Sequence, residues 1–210
     1  MMLADSHCHL DFPSYAEDLE QVMARAAESG VGVMLTIGTR LSTAETVIGL
    51  AERYDHVFAT VGLHPHEAAQ ETVTVERIQA LAEHPKVVGI GETGLDFYYE
   101  SSPRDAQEES FRTHIAAARA LDLPVVIHTR DAEEDTARII DEEMAKGAFR
   151  GVLHCFPGGA HLAEDVFIVV KEPEKIDAFR VGERITLGFE SRFLGTVTDN
   201  PECDIVAVSN

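Results

Sequence analysis

Short apolar runs rich in valine, isoleucine and glycine alternate with amphipathic segments over the first 160 residues of the chain. Such runs are typical of buried parallel strands, because those strands are apolar on both faces. Strands are predicted at residues 2–7, 31–38, 57–63, 87–91, 124–128 and 151–156. Helical spacing of apolar residues predicts helices over 18–29, where Gly30 follows as a stop, and around 75–82, 111–121 and 139–144.

The regular alternation of strand and helix predicts an α/β fold with a parallel sheet and right-handed crossovers. Six βα units are predicted by residue 160. A closed eight-stranded barrel and an open doubly wound sheet are both compatible with this count. The sequence contains neither a Gly-x-Gly-x-x-Gly motif that opens a helix nor a Walker loop, and this favours the barrel over the open nucleotide-binding sheet.

Histidines and carboxylates cluster where the predicted strands end. His7 and His9 flank Cys8, and alternate residues of a strand point to the same side, so both imidazoles can reach one metal ion. The other polar residues that follow apolar runs are His64, His66, Glu92, Asp96, His128 and His154. In a parallel barrel these strand ends meet on one face, where active sites of this architecture lie. The remaining histidines His56, His84 and His114 lie in turns or on helices and are interpreted as solvated or structural.

Imidazole and carboxylate ligands suit divalent metal ions. Four histidines and one carboxylate exceed what one catalytic zinc needs, so the sequence predicts two divalent ions per chain, with Glu92 placed to bridge them. Magnesium, manganese and zinc are the candidates. A metal pair of this kind can bind a phosphoryl group and activate water.

The charge of the chain restricts its partners. Acidic residues outnumber basic ones by 37 to 17, giving a formal net charge of −20, which argues against duplex binding through a basic face. No apolar stretch is long enough to span a membrane. The N-terminus lacks the pattern of a secretory signal and the three cysteines form no disulfide framework, so a cytoplasmic location is expected.

Five motifs in this order resemble the TatD family of metal-dependent deoxyribonucleases. They are residues 5–11 (DSHCHLD), 62–66 (GLHPH), 89–97 (GIGETGLDF), 127–130 (IHTR) and 154–156 (HCF). The resemblance implies a TIM-type barrel of the amidohydrolase-like superfamily. It also implies a hydrolase acting on ester bonds, which cleaves phosphodiester bonds in DNA by metal-activated water and has exonuclease character. Together with the acidic charge, it favours single-stranded DNA or strand ends as the substrate.

The resemblance assigns roles residue by residue. His7, His9, His128 and His154 match the family's metal ligands, and Glu92 matches the bridging carboxylate and is the catalytic candidate. His64 and His66 match a His-Pro-His motif near the substrate, and are candidates for substrate binding or for shaping the mouth of the barrel. Asp96 is a candidate for orienting a ligand, and Arg130 for contacting a phosphate.

The match is strong over residues 1–162 of a single predicted domain (1–210), and residues 163–210 diverge. In the favoured alignment, residues 187–198 resemble the family's seventh strand and the chain stops before the eighth, leaving a barrel of about seven βα units that is incomplete or altered at its C-terminal end. In the second alignment, Asp199 in Thr-Asp-Asn-Pro supplies the last metal ligand.

Two other functions stay open at this point. A hydrolase of another ester or amide is possible because related barrels share the His-x-His motif, although many of those use a lysine as the metal bridge. A catalytically impaired metal-binding remnant is the third hypothesis, and it depends on the divergent tail.

Overall fold

The computed structural model describes residues 3–154, which form a parallel sheet flanked by helices. The strands are β1 (Leu3–Cys8), β2 (Val31–Thr36), β3 (Val57–Val61), β4 (Val87–Asp96), β5 (Val125–Arg130) and β6 (Gly151–Leu153). The helices are α1 (Leu19–Glu28), α2 (Ala44–Arg53), α3 (Val75–Ala82), α4 (Arg104–Leu121) and α5 (Glu133–Lys146). The strands lie in the order β1-β2-β3-β4-β5-β6, so the predicted α/β alternation is confirmed over these residues.

The two faces of the sheet bury separate apolar clusters. Residues 57, 59 and 61 of β3 and 125 and 127 of β5 belong to the large core that includes helix residues. Their neighbours Phe58 and Val126 belong to a smaller cluster with Leu35 and Ile37. This alternation follows from the period of two in a strand, and burial on both faces is the reason that the strands are almost continuously apolar.

The sheet curls so that its first and sixth strands come close at their carboxyl ends. β1 and β6 are at opposite ends of the strand order. Nevertheless the rings of His7 at the end of β1 and His154 directly after β6 stack with their centroids 3.9 Å apart. The described residues therefore form a curled half-barrel, as the TIM-type prediction requires.

Two elements differ from the sequence prediction. Helix α2 was not predicted; it carries β-branched residues and Gly49, which are poor helix formers, and it is stabilised by burying Val47, Ile48 and Ala51. Strand β4 extends to Asp96 instead of ending at Gly91, because Thr93, Gly94 and Asp96 pair with β5. Glu92 therefore lies within a strand and not after it.

Several sequence predictions concern residues outside 3–154 and lie beyond the described part of the chain. These are Asp199 as a ligand, the seventh-strand alignment and the divergent segment 163–210. Among the described residues, no helix is both long enough and apolar enough to cross a membrane.

His114 is a structural residue and is fully buried on α4. Its Nε2 accepts the backbone N–H of Leu63 at 2.9 Å, and its Nδ1 donates to the carbonyl of Ser110 at 2.7 Å. Burial lowers the pKa of His114 to about 4. The ring is thus neutral, and it connects α4 to the segment that leaves β3 just before His64.

We expect His114 to make folding sensitive to mild acid. Its pKa is about 4 in the fold and near 6.5 when unfolded, so the unfolded chain takes up a proton first as the pH falls through this window. Between about pH 7.5 and pH 5 this linkage should lower the free energy of unfolding by about 2 kcal/mol. Denaturant unfolding of the wild type and of His114→Gln at both pH values measures the effect. Equal pH dependence in the two proteins would contradict it.

Candidate metal centre

The carboxylate of Glu92 is the centre of a histidine cluster. It is only 2% exposed, and imidazoles from four different strands or strand ends surround it. His128 Nδ1 lies 3.0 Å from Oε1, His7 Nε2 lies 3.4 Å from Oε2, and His154 Nε2 contacts Oε1. His64 Nε2 is 3.6 Å from Oε1 and His9 Nε2 is 3.9 Å from Oε2. The curl of the sheet thus brings the predicted ligands together.

Two groups of side chains in this cluster have the spacing of metal ligands. One is His7, Glu92 and His154, and the other is His64, Glu92 and His128; in each group the ligand atoms lie within 4.8 Å of one another. Glu92 belongs to both, as expected of a bridging carboxylate. In addition, the buried Nδ1 of His7 has no hydrogen-bond partner among residues 3–154. The donor set therefore fits divalent metal ions, which neutral imidazole and carboxylate ligands bind.

Hydrogen bonds on the far side of two rings prepare them as ligands. His9 Nδ1 donates to the carbonyl of Ile37 at 3.3 Å, which leaves Nε2 on the side of Glu92. His128 Nε2 donates to Asp96 Oδ2 at 3.2 Å, which leaves Nδ1 between Glu92 and His154. A carbonyl or carboxylate that accepts a hydrogen bond from one ring nitrogen fixes the tautomer and leaves the other nitrogen free to bind a metal.

The hydrogen bonding of His64 is the opposite. Its Nδ1 accepts the backbone N–H of His66 at 3.1 Å, so the proton of the neutral ring is on Nε2, the atom that faces Glu92. Burial lowers the pKa of His64 to about 3, which keeps the ring neutral. We infer that His64 presents a hydrogen-bond donor to the cluster, although its distance to Glu92 and His128 is that of a ligand.

Asp96 lies next to the cluster, is only 1% exposed, and accepts hydrogen bonds from two of the histidines. Its Oδ2 accepts from His66 Nε2 at 2.8 Å as well as from His128, so His66 lies beside the cluster and not against Glu92. Its main chain is held by Gln107 of α4, whose Oε1 accepts the Asp96 N–H at 2.7 Å. Burial alone would raise the pKa of Asp96, but hydrogen bonds from the Tyr99 N–H and from His66 outweigh it and lower the pKa.

The protonation states suit metal binding. Burial alone would raise the pKa of Glu92, but its contacts with the side chains of His128, His154 and His7 hold that pKa well below its usual value. Burial lowers the pKa of His9 and of His154, against the opposing charge of Glu92. An anionic carboxylate beside neutral imidazoles is the state in which these side chains bind metal ions.

Glycines allow the strand ends to approach closely enough for these contacts. A Cβ on Gly62 would lie 2.5 Å from the backbone of Gly91. Gly94 has a φ of 132°, and a Cβ there would lie 2.0 Å from the carbonyl oxygen of His128. A side chain at either position would therefore force β4 away from its neighbours and displace Glu92.

The structure brings most of the predicted site residues together. His7, His9, His128, His154 and His64 surround Glu92, whereas His66 contacts Asp96. Tyr98 and Tyr99 were not among the predicted site residues, although they follow Asp96 and the Tyr99 ring contacts His66; the aromatic run after Asp96 was the signal in the sequence.

Comparisons with known proteins identify the family that the chain is similar to. The sequence profile of the family described as TatD related DNase matches residues 4–169. An uncharacterized metal-dependent hydrolase of Bacillus subtilis, YabD, is 41% identical over 165 residues, covering 78% of this chain and 64% of that protein. A 3'-5' ssDNA/RNA exonuclease TatD of Enterobacter lignolyticus is 40% identical over 157 residues, covering 73% of this chain and 59% of that protein.

Solved structures give the same fold. The crystal structure of YJJV, a TatD homologue of Escherichia coli, superposes with a TM-score of 0.70 at 32% identity, covering 78% of this chain and 63% of that one. The chain belongs to the TatD-related DNase family. Its matched part spans about three fifths of the length of these relatives.

The tautomers predict which histidines bind metal. Replacing His128 by alanine should weaken Mn²⁺ binding by about 100-fold, since this removes a nitrogen directed at the ion together with its Asp96 contact. His64→Ala should change the affinity by less than about threefold, because its Nε2 carries a proton. Titration calorimetry of the metal-free protein measures both, with His56→Ala as a control remote from the cluster. A loss of affinity in His64→Ala equal to that in His128→Ala would contradict the assignment.

Proposed function

We propose that the chain is a metal-dependent deoxyribonuclease that hydrolyses phosphodiester bonds of DNA, with a preference for single strands and strand ends. The observation that supports this most is the buried Glu92 carboxylate, which is surrounded by the imidazoles of His7, His9, His128 and His154. The family membership supports the reaction class, and the exonuclease relative supports the polymer. The formal charge of −20 disfavours long duplex tracts, because the chain lacks the cationic excess that duplex phosphates attract.

The residues that would hold the metal are His7, His9, Glu92, His128 and His154. When bound, two divalent ions would neutralise the phosphate and lower the pKa of a water that attacks phosphorus. Glu92 supplies the buried negative charge that would hold the cations. Asp96 fixes the ring of His128. Asp199, beyond the described residues, stays a proposed further ligand.

His64 has a separate task in this proposal. Its Nε2–H points into the cluster and its ring stays neutral, so it can donate a hydrogen bond to a phosphate oxygen. Such a donor would stabilise the negative charge on the phosphoryl oxygens in the transition state. His66 is held by Asp96 at the side of the site and is proposed to contact the substrate.

The test is cleavage of an end-labelled single-stranded oligonucleotide with Mg²⁺, Mn²⁺ or Zn²⁺ and with chelator. Cleavage should require the metal and should fall by about 100-fold or more in Glu92→Gln, which keeps the size of the side chain and removes its charge. His84→Gln is the matched control, because His84 contacts Glu52 and lies before β4, at the opposite end of the strands from the cluster.

Three outcomes would contradict the proposal. Cleavage that is unaffected by chelation and by Glu92→Gln would exclude the metal centre as the catalyst. A folded, metal-loaded protein that cleaves no phosphoester would support a metal-binding remnant, and turnover of an amide or lactone alone in a substrate panel would support a different hydrolase.

A further inference from the structure

Aromatic side chains are exposed at the mouth of the metal centre. Among residues 3–154, five large hydrophobic side chains are exposed, and three of them lie beside the cluster: Phe12, Tyr98 and Tyr99. Tyr98 is 57% exposed and Tyr99 is 56% exposed. The Tyr99 ring makes an edge contact with His66 at 5.3 Å between centroids. The ring of Phe12 stacks on His9 at 4.6 Å, so one of its faces is already covered.

Asp96 connects the two tyrosines rigidly to the cluster. Its Oδ1 accepts the backbone N–H of Tyr98 at 3.1 Å and of Tyr99 at 2.9 Å. Its Oδ2 accepts from His66 and His128. One buried carboxylate thus holds both the tyrosine turn and a proposed metal ligand, which fixes the position of the rings relative to Glu92.

Arg130 at the end of β5 supports both rings. Its guanidinium carbon lies 4.1 Å from the centroid of Tyr98 and 4.7 Å from that of Tyr99, which are perpendicular to each other. Each tyrosine still exposes more than half of its side chain. This produces a polarised aromatic surface with a fixed cation, and such surfaces stack nucleobases without regard to sequence.

We propose that Tyr98 and Tyr99, supported by Arg130, form a stacking platform for unpaired bases next to the scissile phosphate. A base inside a duplex has both faces covered by its neighbours, whereas an unpaired base can turn a face toward a tyrosine. The platform therefore selects single strands by stacking, while Arg130 attracts the adjacent phosphate. The identity of the polymer rests on the proposed function, but the binding of an unpaired base can be measured apart from cleavage.

The first test measures stacking without cleavage. The probe is a short single strand with methylphosphonate linkages and 2-aminopurine at its last two positions; it carries no backbone charge and contains no phosphodiester. The wild type should quench 2-aminopurine, and Tyr98→Leu/Tyr99→Leu should raise the Kd at least about fivefold. The double variant should fold, because Asp96 binds the backbone and not the rings. Tyr54→Leu is the matched control: Tyr54 has Arg53 over its ring at 5.4 Å but lies before β3, at the opposite end of the strands.

The second test measures whether the effect of the terminal bases on cleavage depends on the tyrosine rings. Removing the two terminal bases of an oligonucleotide substrate should lower kcat/KM of the wild type at least about fivefold, and this penalty should disappear in the double variant.

The two tests separate the platform from the proposed function. Equal quenching by the wild type and the double variant, or an unchanged penalty for abasic ends, overturns the platform. Quenching that needs the tyrosines in a protein that cleaves no DNA would overturn the nuclease proposal and support the platform.

Discussion

The buried carboxylate of Glu92 is the group on which the arrangement of the site depends. A charge that is only 2% exposed costs free energy unless polar groups or cations surround it, and here imidazoles from β1, from the segment after β3, from β5 and from directly after β6 surround it. Strands at both edges of the described sheet contribute, so the contacts form only when the sheet is curled. The Glu92 carboxylate is therefore surrounded by polar groups only when the sheet adopts its curled shape.

Asp96 extends this constraint outward. It is buried on the same strand as Glu92, four positions later. Its Oδ2 accepts hydrogen bonds from His66 and His128, and its Oδ1 accepts the backbone N–H groups of Tyr98 and Tyr99. Gln107 links its main chain to α4. The proposed metal centre and the proposed base-stacking surface thus share one rigid support.

The sequence was sufficient to predict the parallel α/β architecture and the side chains that meet around Glu92. The reason is that the strand ends of a parallel barrel converge, so a histidine after an apolar run has few other places to lie. The sequence did not predict α2, because its poor helix formers are compensated by burial against the rest of the fold. It also did not predict the length of β4, because glycines and an acidic residue in its second half are typical of a turn. The histidine tautomers could not be predicted from the sequence either, because they depend on contacts with backbone groups such as the Ile37 carbonyl and the His66 N–H.

Anomalous diffraction from crystals soaked in Mn²⁺ would locate the metal ions relative to Glu92. We expect manganese bonded to Glu92 and to nitrogens of His7, His9, His128 or His154, with His64 Nε2 outside the coordination sphere. Crystals of Glu92→Gln should lose or displace this density. Manganese bound elsewhere, or bound equally well in Glu92→Gln, would contradict a metal centre built on this carboxylate.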